Sequence, residues 1–160
     1  RIADDTLLDL LNKVKVEKGK TYFIPAGTIH AIGKGNLICE VQQNSNSTYR
    51  VYDYNRRDKF GNLRRLDIDK ALDVMDLHKY EGTDISECKY FECKMLECDG
   101  SVDIDVTEES FVALMVLDGI GIISYEDSEL EFAKGDCIFI PKRNAKMHLS
   151  GRVSVMTVRI

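Results

Sequence analysis

His30 is one of three histidines in the chain and has the setting best suited to a metal. It closes the pattern Gly19-x5-Pro25-x-Gly27-x2-His30. A proline stops one strand, a glycine takes the turn, and the next strand opens on an imidazole. Neutral imidazole and carboxylate oxygen are ordinary zinc ligands. A lone histidine is more often a core or turn residue, and the Pro-x-Gly frame is what favours a ligand. Ten residues on, Glu40 lies on an expected strand beside apolar residues. Burial there would raise its pKa and suit it to proton transfer; the competing reading is a salt-bridged or solvent-facing glutamate. Arg50 sits within Thr-Tyr-Arg-Val-Tyr-Asp, and its planar guanidinium forks onto phosphate or other anionic oxygens. Its competing reading is an ion pair with Asp53 or Asp58. Arg50 also opens a basic run with Arg56, Arg57, Lys59, Arg64 and Arg65. Such a cluster attracts a sugar phosphate, although a charge run is more often a solvated face. Arg50 first, and Arg56 after it, are the candidates for substrate or phosphate.

These side chains need strands to aim them. Asp5 or Thr6 caps a short helix with Leu7, Leu8, Leu10 and Leu11 on its apolar side. Strands are expected over 21–24, from His30 to Ile32, over 37–43 and over 48–54, with turns at Lys18-Gly19 and Gly33-Lys34-Gly35-Asn36. Residues 55–65 form a basic loop. Asp67 to Leu77 reads as a helix, with Ile68, Ala71, Leu72 and Met75 at helical spacing. Residues 79–87 are polar, carry Gly82 and make the best linker, between domains at 1–78 and 88–160. Beyond it, strands are expected over 88–97, 102–106, 111–117, 121–125, 129–132, 136–140 and 153–160, a short regular spacing that suits a sandwich or barrel. Gly119-Ile120-Gly121 reads as a turn rather than a dinucleotide loop. His78 and His148 are assigned no chemistry.

The chain has 160 residues, 44% of them apolar, enough to pack a core. A net charge of -5 argues against a general nucleic-acid binder. No apolar run approaches the roughly 20 residues that span a bilayer, and no signal peptide opens the sequence. Cys39, Cys88, Cys93, Cys98 and Cys137 are odd in number and suit free thiols in a reducing cytoplasm. Cys88, Cys93 and Cys98 lack the paired spacing of a zinc knuckle. The first residue is Arg1, followed almost at once by the amphipathic segment, the pattern expected of a fragment.

The chain echoes itself. Glu17 to Pro25 resembles Ala133 to Pro141: each is a turn glycine, five residues, then a proline. Two copies of one β unit are implied. The second carries Lys146 where the first carries His30, a scaffold without the ligand.

The Gly19-to-His30 pattern resembles the second conserved motif of the cupin superfamily. The segments IPAGTIHAI, ICEVQQNS and TYRVYDYNR, in that order, resemble the C-terminal part of the short bacterial form of type I phosphomannose isomerase. The likeness runs from about Leu7 to Leu77 and more weakly over the second β unit. It implies a mainly β fold: the C-terminal part of a catalytic cupin barrel with a short helix, followed by a second, smaller jelly-roll unit. It implies interconversion of mannose 6-phosphate and fructose 6-phosphate through an enediol, with one zinc. His30 matches the family's later zinc-binding histidine, Glu40 an active-site carboxylate and Arg50 the catalytic arginine. The family's earlier glutamine, histidine and glutamate ligands have no counterpart here, so the zinc site is expected to be incomplete, and the open strand edges invite homodimerisation. A non-catalytic cupin module holding a sugar or phosphate is the first alternative. An iron-dependent cupin oxygenase is the least favoured, because no HxH-type partner is present.

Overall fold

The computed structural model describes residues 1–82, 84 and 86–160. The chain divides into two compact units, Arg1–Ile85 and Ser86–Ile160. Thr83 and Ile85, inside the expected linker, lie outside the described residues. No described helix is long and apolar enough to cross a membrane.

The second unit is one antiparallel sheet. Its strands are β1 (Glu92–Val106), β2 (Val112–Tyr125), β3 (Ser128–Ala133), β4 (Cys137–Ile140) and β5 (Ala145–Arg159). The order is β1-β5-β2-β3, and β4 also pairs with β2. β2 therefore lies between β5 on one edge and β3 with β4 on the other. Strand β1 merges the expected 88–97 and 102–106 strands, and β2 merges 111–117 with 121–125. Two of the expected strand breaks are creases within strands. Gly100 pairs with Gly151, and Gly151 pairs with Gly121, so one glycine row crosses three strands. A flat strand of this length would span about 50 Å. Yet Cys98 and Ile104 of β1, and Val153 and Leu149 of β5, belong to one buried cluster. The sheet folds over at the crease, so both halves of each long strand face the same core.

Gly119, expected in a turn, sits instead within β2, paired with Val153 at φ of 87°, just after a bulge between Val116 and Asp118. The bulge shifts the strand by one residue. Val112, Leu114 and Val116 face the core before it, and Ile123 faces the core after it. Only such a slip changes which parity points inward. A Cβ at Gly119 would land on the Arg152 carbonyl oxygen.

The first unit departs from the strand expectation. A 3-10 turn spans Leu7–Leu10 after Thr6, and α1 spans Ile68–Val74 after Asp67. The segments 21–24, 30–32, 37–43 and 48–54 form no ladder among the described residues. Only isolated bridges occur, such as Thr28 with Asp76 and Arg57 with Leu63. Alternation of apolar residues prepares a strand, but a strand exists only with a paired neighbour, and among the described residues these segments build no continuous pairing. In α1, Ala71 is buried and Leu72 exposed, so the inward stripe is Ile68, Ala71 and Met75 without Leu72. Gly82 and Asp84 hydrogen-bond back to this unit, through Phe23 N to Gly82 O at 2.8 Å and Asp84 N to Thr21 O at 2.8 Å.

The echo survives at its turns. Lys20 N donates to Glu17 O at 3.2 Å, and Asp136 N donates to Ala133 O at 3.0 Å. Gly19 and Gly135 take φ of 82° and 97°. The following residues diverge: Cys137–Ile140 pair with β2, and residues 21–24 do not form the matching strand.

Candidate functional site

The motif around His30 is built by close backbone approach. Gly27 has φ of 90°, and a Cβ there would stand 2.5 Å from the Val74 carbonyl oxygen. Asp76 N donates to Gly27 O at 2.9 Å, and Thr28 N donates to Pro25 O at 3.1 Å. The motif glycine thus serves both a left-handed turn and contact with the end of α1. The turn sets up His30, whose Nδ1 lies 2.9 Å from the Thr28 carbonyl oxygen. A carbonyl only accepts, so Nδ1 carries the proton. In the neutral ring Nε2 is then left with its lone pair, the tautomer a metal ligand needs. His30 is exposed.

Glu40 is exposed as well, so the burial expected to tune it is absent here. Nothing in its surroundings distinguishes it from a solvent-facing glutamate.

Arg50 is the most constrained candidate. Its carbonyl accepts from Asp67 N at 2.7 Å, and its own N–H points to Asp67 Oδ2 at 3.5 Å. Asp67 is the residue before α1, so the helix start clamps the Arg50 backbone from both sides. The guanidinium Nε lies 3.7 Å from Asp53 Oδ1. Asp58, the other partner open in the sequence, is used differently. It accepts from Phe60 N at 2.8 Å and Asn62 N at 2.9 Å, closing its own turn. Those bonds, Asn62 first, hold its carboxyl below the usual carboxylate range.

Arg56 is exposed, and its guanidinium stands 5.2 Å from the Tyr54 ring. Its N–H donates to Asp53 O at 3.0 Å. Asp53, Arg56 and Arg64 line a cavity of about 70 Å³ with Tyr52, Asn55 and Leu63. Arg50 meets Asp53 through its guanidinium, and Arg56 meets it only through the backbone N–H. His30 and Glu40 share no hydrogen bond or ion pair with either.

Among the described residues no group of three or more His, Cys, Asp or Glu is placed to hold a metal ion. The donor set here amounts to His30, whose tautomer suits one coordination position. It does not make a zinc site by itself.

In the second unit the place matching His30 is held by Lys146, which ion-pairs with Asp103 at 3.5 Å and Asp105 at 3.8 Å. His148 Nδ1 lies 2.9 Å from Asp103 Oδ1, across β1 and β5. A wider pocket of about 340 Å³ there is lined by Glu87, Cys88, Lys89, Tyr90, Ser110 and Arg159 among others, none of them a candidate site residue from the sequence.

A creased antiparallel sheet folded around one apolar core is the architecture of a cupin-type jelly roll. Residues 81–160, half of the chain, match the family described as mannose-6-phosphate isomerase, cupin domain, and the chain belongs to that family. The chain is 34% identical over 157 residues to mannose-6-phosphate isomerase ManA of Bacillus subtilis, covering 89% of this chain and 50% of that protein. It is 32% identical over 160 residues to the mannose-6-phosphate isomerase of Streptococcus mutans, covering 92% of this chain and 50% of that one. The crystal structure of the mannose 6-phosphate isomerase from Bacillus subtilis superposes with a TM-score of 0.66 at 27% identity, covering 74% of this chain and 42% of that one. The chain spans about half the length of these curated relatives. The family match falls on the unit in which the sequence shows least chemistry.

Proposed function

We propose that these residues serve a mannose-6-phosphate isomerase, interconverting mannose 6-phosphate and fructose 6-phosphate. The observation that carries this is likeness to proteins of that name along 89% and 92% of the chain, so both units are included. In this reading the first unit brings the reacting side chains and the second is scaffold.

The reaction moves a proton between C1 and C2 of the open-chain sugar through an enediol. Glu40 is the carboxylate that takes the proton from one carbon and returns it to the other. Arg50, fixed at its backbone by Asp67, presents its guanidinium to the negative charge that develops on the oxygens. Arg56 receives the phosphate. His30 would hold one position of a zinc ion, offered through Nε2, and the other ligands would come from outside these 160 residues. Bound zinc would polarise the sugar carbonyl. The odd count of five cysteines supports a reducing, cytoplasmic setting. β1 is paired on one side only among the described strands, which supports association of two copies along this edge.

Arg50→Ala tests the reading in a chain of the relatives' full length carrying these residues. Turnover of mannose 6-phosphate is expected to fall on the order of a hundredfold or more, the loss typical of a removed charge-stabilising donor. Zinc content is expected to stay unchanged. An unchanged rate would reduce Arg50 to a structural ion pair. A second reading, a non-catalytic module that binds a sugar or phosphate, draws support from the lack of a three-donor group among the described residues. It requires sugar-phosphate binding without turnover in the longer chain.

A further inference from the structure

We propose that Asp53 is the positioning residue that sets the Arg50 head, a role that rests on the assignment of Arg50 above. Three separate features meet at this carboxylate. First, its Oδ1 is shared by two guanidinium groups, Arg50 Nε at 3.7 Å and Arg64 Nη1 at 3.5 Å. These are ion-pair rather than hydrogen-bond distances. The Asp53 side chain is 11% exposed, so water screens the contacts far less than on an open surface.

Second, Arg50 is approached at Nε. It forms no ion pair with a described residue other than Asp53. A guanidinium held at Nε keeps its terminal N–H fork for an incoming anion, the bidentate geometry that oxyanions favour. Held at the fork instead, the same arginine would be spent on its own protein. Arg64 meets Asp53 through a terminal nitrogen, so the two arginines play unequal parts.

Third, the backbone after Asp53 is strained. Tyr54 and Asn55 are consecutive left-handed residues, with φ of 56° and 53°. An aromatic side chain rarely adopts that region, and such outliers persist where surrounding structure over-determines them. The Arg56 N–H to Asp53 O bond at 3.0 Å closes this turn. The turn fixes the backbone of Asp53, whose carboxylate meets Arg50 three residues earlier. Asp53 Oδ2 is buried and accepts no hydrogen bond from a described residue. A carboxylate placed for its own stability would have both oxygens satisfied. Asp53 instead gives one oxygen to two cations, and without it Arg50 and Arg64 would face each other as like charges.

The test uses ¹⁵N spectra of arginine side chains, read on the 160-residue chain. In Asp53→Asn the Arg50 Nε–H signal is expected to shift, and its exchange with water to quicken on the order of tenfold, the ratio for a contact worth one pKa unit. Asp53→Glu is expected to restore part of both. In the full-length chain, Asp53→Asn is expected to lower kcat by about ten- to a hundredfold with KM within about threefold, as for a misplaced catalytic group. An unmoved Arg50 signal overturns the proposal whatever the rate does. A moved signal with wild-type kcat overturns the assignment of Arg50 to catalysis, and the positioning role with it. Should Asp53→Asn fail to fold, Arg64→Gln decides the matter: the Arg50 signal is expected to persist, and its collapse would mean that Arg64, not Asp53, holds the site together.

Discussion

At the scale of single residues, what the sequence offers is identity and what the fold adds is state. His30 was legible because a proline, a glycine and an imidazole stand at a recognisable spacing. Its tautomer was not, because that depends on the Thr28 carbonyl oxygen 2.9 Å from Nδ1. If Nε2 is the metal-facing atom, His30→Ala removes a ligand and is expected to lower zinc affinity at least about tenfold in the full-length chain, measured by competition with a chelator. Wild-type affinity would show that His30 is not a ligand. Arg50 was legible as a candidate with two carboxylates in reach, and only the fold separates them, by committing Asp58 to the amides of its own turn. Alternation around Glu40 suggested a half-buried strand, but residues 37–43 form no ladder among the described residues and Glu40 is exposed, since burial needs a neighbour to supply it.

At the scale of elements, the second unit was largely legible and the first was not. Every strand of 86–160 was at least partly found, but β1 and β2 were each read as two, and the first half of β5, before Val153, was missed. A glycine signals a turn and a crease equally well, and only register tells them apart: Gly100, Gly151 and Gly121 lie in one row. The crease makes a clear expectation. Gly119→Ala places a methyl group against the Arg152 carbonyl at φ of 87°. The cost is expected to exceed about 2 kcal/mol, combining backbone strain with a clash against main chain, measured by urea unfolding. A loss below about 0.5 kcal/mol, the level of an ordinary surface change, would mean that a glycine at 119 is not needed. The Asp103–His148 pair across β1 and β5 makes a second. The side-chain bond to His148, and then Lys146, holds the Asp103 carboxyl below its ordinary value of 3.8. A depressed carboxylate stabilises the folded form above its unfolded pKa and loses that contribution as pH falls through its folded value. The Tm advantage of the wild type over Asp103→Asn is therefore expected at pH 6 and should shrink as pH falls below the ordinary value of 3.8. An advantage that persists there would mean the pair acts by packing rather than charge. In the first unit, Ile68, Ala71 and Met75 of the expected stripe turn inward but Leu72 is exposed, and the four expected strands form no ladder among the described residues.

For the whole molecule, the repeated turn-glycine unit separates scaffold from chemistry. Both copies keep the turn, with the same backbone bond and a left-handed glycine. One copy continues to His30 and the other to Lys146, which is spent on Asp103 and Asp105 in the sheet. The family match over 81–160 therefore speaks for the scaffold, and the catalytic reading rests on residues before it. The most direct measurement is conversion of mannose 6-phosphate to fructose 6-phosphate, assayed with zinc content, by the 160-residue chain and by a chain of the relatives' full length that carries it. Turnover and bound zinc are expected in the longer chain and neither in the 160 residues alone. Turnover absent from both would contradict the account.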